Sequence, residues 1–196
     1  LIMPLENLKK YQIILASNSP RRRELMSGLG VDYTVRTLPD VDESYPEHLK
    51  GCEIPEYIAR EKAAAYRASM KPGELLITAD TIVWLDGKLL GKPEGGEGAA
   101  EMLRSLSGKA HQVFTGVCLT TTEWQKSFTS SSDVVFDELS EDEIQYYVDA
   151  YRPMDKAGAY GVQEWIGYIG VKSISGSFYN IMGLPIQRLY GELKRL

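Results

Sequence analysis

Apolar and polar positions along the chain follow two periods, and the points where one gives way to the other mark out the elements. The run Ile13-Ile14-Leu15 predicts a first strand over 11–16, and Pro20 opens a helix to about Ser27 that Gly28 and Gly30 stop. A short strand is expected at 32–36. Ile58, Ala59, Ala63 and Tyr66 recur at helical spacing behind Pro55, so 54–70 reads as a helix ending before Lys71-Pro72-Gly73. The β-branched stretch 75–85 reads as a strand that Asp86-Gly87 turns back into Lys88-Leu89-Leu90. The Gly/Glu stretch 94–98 leads into a helix over 99–106. Segments 111–121 and 126–136 alternate as two long paired strands joined by Thr122-Glu123-Trp124-Gln125. Ser140 with Glu143 three residues on has capping-box spacing and opens a helix to Tyr151. A strand at 168–174 and a helix from Leu184 or Pro185 to Leu193 complete the pattern.

Helices alternating with extended segments, two of them hairpins, predict an α/β protein with a mixed sheet. The first ten residues, with Pro4 and Lys9-Lys10, read as partly linker. Segment 38–53 is a long acidic connection holding Asp40, Asp42, Glu43 and Glu47, and a connection of that length is usually functional.

Composition narrows the field. With 196 residues and 43% apolar content, the chain suffices for one domain, 1–196, built as two closely joined lobes. A net charge of -5 argues against general nucleic-acid binding, which needs a broad basic surface. No stretch approaches the roughly 18 apolar residues of a membrane span, and no signal-like segment opens the sequence, so a cytoplasmic protein with no membrane partner is expected. Two cysteines and two histidines indicate neither a disulfide framework nor a structural zinc site, and Cys118 within Val117-Cys118-Leu119 reads as buried packing.

Against that acidic background, Ser17-Asn18-Ser19-Pro20-Arg21-Arg22-Arg23 stands out at the first strand-to-helix junction. Helix N-termini favour anions, so three arginines in a first turn read either as a solvated basic face or as part of a phosphate or carboxylate site with free backbone N–H groups and hydroxyls. Asp80 interrupts an otherwise apolar strand, a placement that is costly unless a cation, a metal or solvent in a cleft meets it; a half-exposed strand position is the plainer alternative. Lys62 reads by spacing as a solvated lysine. Lys92 is better marked, because Gly91 and Pro93 fix the backbone around it. Asp42 and Glu43 could offer carboxylates to a divalent ion, although acidic surface loops are common. The stretch from Asp155 to Gln163 is too rich in glycine for a core helix, and Gln163 offers both donor and acceptor to a planar base. The P-loop, dinucleotide-binding, nucleophile-elbow and metallopeptidase signatures are all missing.

Taken together, Ser17-Asn18-Ser19-Pro20-Arg21-Arg22, Asp42-Glu43, Glu61-Lys62-Ala63, Ala79-Asp80-Thr81, Gly91-Lys92-Pro93, Ser107-Gly108-Lys109, His111, Thr115-Gly116, the Asp155 to Gln163 stretch and Tyr179-Asn180 before Gly183-Leu184-Pro185 resemble the Maf family of nucleotide pyrophosphatases. The likeness runs from about Ile13 to Leu189, and the wording Lys156-Ala157-Gly158-Ala159-Tyr160-Gly161 resembles the branch acting on dTTP and UTP. The resemblance implies a fold shared with the inosine triphosphate pyrophosphatases, a mixed sheet with two lobes around a nucleotide cleft. It implies hydrolysis of the α–β phosphoanhydride to a monophosphate and pyrophosphate with a divalent cation, Mg²⁺ or Mn²⁺, and a homodimer. By the same resemblance Asp80, Glu43, Lys62 and Lys92 are catalytic, with Asp80 and Glu43 also meeting the metal. Ser17, Ser19, Arg21 and Arg22 bind phosphate, and Gln163, Thr81 and Lys109 set substrate specificity. The segment Glu164-Trp165-Ile166-Gly167-Tyr168-Ile169 and Met182 depart from the smaller residues the family pattern leads one to expect. A nucleotide sensor without turnover, and a phosphatase or kinase acting on a terminal phosphate, are the competing functions.

Overall fold

The computed structural model of the chain describes residues 3–196. They form a seven-stranded mixed sheet with flanking helices, as the alternating pattern predicts. The chain divides into two compact units. The first holds the chain up to Asp80, Thr115–Ser130 and Gly183–Leu196; the second holds Thr81–Phe114 and Ser131–Met182.

In the first unit, β1 (Gln12–Leu15) pairs in parallel with β2 (Thr34–Val35) and with β3 (Glu74–Leu85), Leu15 standing opposite Val35 on one side and Ile77 on the other. Such a strand is covered on both faces, which is why Ile13, Ile14 and Leu15 form an unbroken apolar run. Successive side chains go to opposite faces. Ile13, Leu15, Leu75 and Ile77 cluster with Met26 of α1 (Pro20–Gly28) and with Leu189 and Leu193 of α7 (Ile186–Lys194). Ile14 and Leu76 cluster instead with Cys118 and with Ala59, Ala63 and Tyr66 of α2 (Glu53–Arg67), so the expected burial of Cys118 holds. β5 (Ala110–Thr120) reaches α2 backbone to backbone at Gly116, where a Cβ would stand 2.3 Å from the Glu56 nitrogen. Only glycine fits that approach.

The N-terminal linker expectation is overturned for residues 3–10; the two residues before them lie outside the described residues. Glu6–Lys10 forms a 3₁₀ turn, and Leu5 and Leu8 join the core cluster of the first unit. Asn7 Nδ2 donates to the carbonyls of Leu193 at 2.9 Å and Leu196 at 3.0 Å, which ties the segment to the end of α7. The Leu5/Leu8 pair outweighs the nearby lysines and proline.

In the second unit, β4 (Lys88–Leu90) returns antiparallel to β3. α3 (Gly95–Leu106) packs on α4 (Glu141–Tyr151), and β7 (Val171–Ser175) pairs antiparallel with β6 (Gln125–Phe136). The capping box at α4 forms as its spacing predicts: Ser140 Oγ accepts from Glu143 N, and Glu143 Oε1 accepts from Ser140 N. Two boundaries move. α3 begins at Gly95 rather than 99, and of its glycines Gly96 faces α4, where a Cβ would make ordinary contact with Val148. Residues 168–170, expected as strand, belong to α5 (Trp165–Gly170), which starts when Gly167 N and Tyr168 N both donate to Glu164 O. A last short helix, α6 (Phe178–Met182), was not expected. Among the described residues no helix is long and apolar enough to cross a membrane.

Candidate active site

β1 ends at Leu15, although Ala16 N still donates to Ile77 O at 3.0 Å, so the chain leaves the sheet at the buried Ser17. Ser17 Oγ accepts from Ser19 N at 3.1 Å, and Ser19 Oγ caps α1 by accepting from Arg22 N at 3.3 Å, with Pro20 at the first helical position. The three arginines have separate fates. Arg23 turns back on the junction, donating to Ser17 O and Asn18 Oδ1. Arg21 is half-buried. Arg22 Nε donates to Gly183 O at 2.7 Å, and burial holds its pKa below the ordinary value against the pull of Asp80 and Glu43. A solvated basic face therefore does not describe this cluster.

Asp80 lies midway along β3, three residues beyond Ile77, so it stands level with the point where the chain leaves the end of the neighbouring parallel strand β1 for Ser17. Its side chain is 13% exposed, and burial pushes its carboxyl up from the ordinary value, Glu43 adding to the rise while Lys62 and Arg22 oppose it. Lys62 extends from α2 beside the apolar Ile58, Ala59 and Ala63. Its Nζ donates to Ala79 O at 3.0 Å and Asp80 Oδ1 at 3.3 Å, and it stands 3.2 Å from Glu43 Oε1. At 16% side-chain exposure it is not the solvated lysine that spacing alone suggests. Glu43 arrives from the irregular acidic connection. Its neighbour Asp42 turns back on its own loop, accepting from Ser44 N at 2.9 Å, a bond that holds its carboxyl below the usual range.

The first unit thus gathers Ser17, Ser19, Arg22, Glu43, Lys62 and Asp80 around the end of β1. Among the described residues no group of three or more His, Cys, Asp and Glu could cage a metal. Two carboxylates joined by one ammonium fit a smaller task. Mg²⁺ is commonly held by one or two carboxylates while substrate phosphates and water complete its shell.

The remaining sequence candidates belong to the second unit. Thr81 is half-buried, and Lys92 and Lys109 are exposed. Gly91 O accepts from Gly158 N at 3.1 Å, which ties the Lys92 segment to the glycine-rich stretch. Gln163 is half-buried, and its Oε1 is buried with no hydrogen-bond partner. The stretch itself holds the end of one 3₁₀ turn, Pro153–Asp155, and all of a second, Ala157–Ala159, and it is buried over 158–162. Residue spacing gives no hint of two further features. His111 Nε2 lies 2.6 Å from Tyr160 Oη, both rings edge-on to Phe136, and burial drives the histidine down to about 4. Tyr147 of α4 also reaches the stretch. Neither could be found locally, because each pair joins residues far apart in sequence. The Gly183-Leu184-Pro185 wording was the one signal for the carbonyl that receives Arg22.

A parallel strand that delivers a capped helix N-terminus beside half-buried cations and a pair of carboxylates defines an α/β protein built to hold an anion beside a carboxylate. The chain belongs to the family described as Maf-like protein, whose profile matches residues 12–196. It is 86% identical over 192 residues to the dTTP/UTP pyrophosphatase of Bacteroides thetaiotaomicron, covering 98% of this chain and 100% of that protein. The dTTP/UTP pyrophosphatase of Flavobacterium johnsoniae is 46% identical, with 97% of this chain and 98% of that one covered. Among solved structures, the Staphylococcus aureus Ham1 protein superposes with a TM-score of 0.57 at 17% identity, covering 94% of this chain and 98% of that one. A HAM1 protein from Coxiella burnetii gives 0.52 at 15% identity, covering 95% and 100%. At such identity these two speak for the fold alone, a mixed sheet with flanking helices shared with the Ham1 proteins.

Proposed function

We propose that the protein hydrolyses dTTP and UTP between the α- and β-phosphates, giving the nucleoside monophosphate and pyrophosphate. The observation that carries this reading is Lys62 Nζ, which holds both the buried Asp80 and the loop-borne Glu43 beside the Ser17 to Arg22 junction. The printed names of relatives that match nearly the whole chain support the substrate.

In this reading the N–H groups and hydroxyls at Ser17 and Ser19, with Arg21, Arg22 and Lys92, take up the phosphate charge. Asp80 accepts a proton from water as its oxygen attacks the α-phosphorus, the bond to the bridging oxygen breaks, and pyrophosphate leaves with its charge met by the cations. Lys62 keeps Asp80 ionised in spite of burial and keeps Glu43 within reach. A divalent cation such as Mg²⁺ or Mn²⁺, held by Asp80 and Glu43 with the substrate, supplies Lewis-acid polarisation of the phosphoryl oxygens.

Gln163, aided by Thr81 and Lys109, reads the base. Uracil and thymine share an N3–H donor, which suits the open Gln163 Oε1 acceptor, whereas cytosine presents an acceptor there. A cytoplasmic homodimer, with 1–196 as a single domain of two lobes, completes the reading. Sedimentation checks the dimer.

The test is a panel of common triphosphates with Mg²⁺ in which both products are identified. Monophosphate and pyrophosphate should appear from dTTP and UTP, with CTP slower by at least ~10-fold. Orthophosphate as the first product would point to a terminal phosphatase, and tight binding without turnover to a sensor.

A further inference from the structure

Gln163 sits inside a four-residue turn in which Gly161 O accepts from Glu164 N at 3.0 Å, leaving Gln163 in the third position. Both ends of the turn meet one phenol. Tyr147 Oη donates to Glu164 Oε1 at 2.7 Å and accepts from Gly161 N at 3.0 Å. Tyr147 is fully buried on α4, and its ring stacks on Tyr151. Burial, and after it the Glu164 carboxylate, push its hydroxyl far above the ordinary value, so it remains a donor throughout the working range. Lys156 Nζ stands 3.6 Å from the same Glu164 oxygen. Just upstream, Ala159 has a φ of 62°, a left-handed conformation that local preference does not sustain. This backbone holds its shape through contacts from elsewhere in the unit.

We infer that Tyr147 is a specificity-positioning residue: its hydroxyl clasps both ends of the 161–164 turn and so fixes where Gln163 presents its amide to a pyrimidine. The inference rests on the reading that Gln163 contacts the base. A carboxamide on a loose turn can rotate, offering its NH₂ to the N3 of cytosine as readily as its oxygen to the N3–H of uracil. Discrimination therefore needs the backbone beneath Gln163 held at one place. Removal of the hydroxyl keeps the ring packed and releases both Gly161 N–H and the Glu164 carboxylate.

Steady-state kinetics on UTP and CTP for the unaltered protein, Tyr147→Phe, Gln163→Ala and the double variant, with unfolding midpoints alongside, test the role. Tyr147→Phe should raise KM for UTP about 10-fold with kcat within about 2-fold, and narrow the UTP-to-CTP ratio of kcat/KM by a similar factor. In the Gln163→Ala background the same replacement should change that ratio by less than ~2-fold. A uniform fall in kcat for both nucleotides with an unmoved ratio would overturn the role, as would an equal effect with and without Gln163. If Gln163→Ala alters the ratio and Tyr147→Phe does not, only the positioning role falls. If Gln163→Ala leaves the ratio untouched, the base reading falls and the positioning role falls with it. Should Tyr147→Phe not fold, Glu164→Gln retains the acceptor and Glu164→Leu removes it. The first should keep the unaltered ratio and the second lose it, and equal behaviour of the two would overturn the inference.

Discussion

The two units use buried polar groups in opposite ways. The first gathers formal charge: Arg22, Lys62 and Glu43 all act on the Asp80 carboxyl, and burial works against the charge on Arg22 and Asp80. The second relies mainly on neutral groups, the His111 to Tyr160 contact and the Tyr147 clasp, with Lys156 and Glu164 at its polar margin. A polyphosphate carries charge that ammonium, guanidinium, metal and the N–H groups of a helix N-terminus can answer. A pyrimidine edge carries none, and is told from its neighbours by where donors and acceptors stand.

The strongest way to break that comparison is at Asp80. Asp80→Asn should leave the unfolding midpoint near that of the unaltered protein and lower kcat by ~10²–10⁴-fold. Its raised carboxyl also has a sign that can be checked. Because the ionised form accepts the proton, the acid limb of kcat/KM should lie above the ordinary aspartate value of 3.8. Replacement of Lys62 with Met should carry that limb higher still, since the ammonium is the main group opposing the rise. A limb at or below the ordinary value would separate Asp80 from proton transfer.

Next in size is the close approach inside the first unit. Gly116→Ala should lower stability by about 2–3 kcal/mol, read from denaturant unfolding, since β5 and α2 must part to admit one methyl. The second unit has its own handle in His111, whose value falls to about 4 in the folded protein against 6.5 free. The unfolded chain binds the extra proton first, so stability is full above 6.5 and lost as pH falls from there to about 4, by on the order of 3 kcal/mol. His111→Gln should flatten unfolding midpoints across that window. The smallest effect is at the α4 cap, where Ser140→Ala should cost about 1 kcal/mol and leave kinetics alone.

Much of this could be read along the chain, for reasons that differ by residue. Ile13-Ile14-Leu15 and the Ser140 to Glu143 spacing act over a few residues, so pattern suffices for β1 and the α4 cap. Asp80 declared itself by interrupting apolar neighbours. Lys62 did not, because its pairing with residues 43 and 80 spans three separate elements. The N-terminal turn was misread where long-range packing opposed local propensity, since Leu5 and Leu8 enter a core shared with α7, and α3 starts earlier than glycine's poor helix propensity suggests.

Sequence alone determined the alternation of helices and strands, the capped junction at Ser17 and the membership that its motifs declare. Those depend on covalent neighbours and on side-chain chemistry, which are written locally. Tertiary structure decided which of three adjacent arginines turns toward the carboxylates, that one ammonium joins Glu43 to Asp80, and that a phenol on α4 closes the turn around Gln163. Each of these is an encounter between distant segments, and its energy comes from burial and partner geometry that no stretch of chain carries by itself.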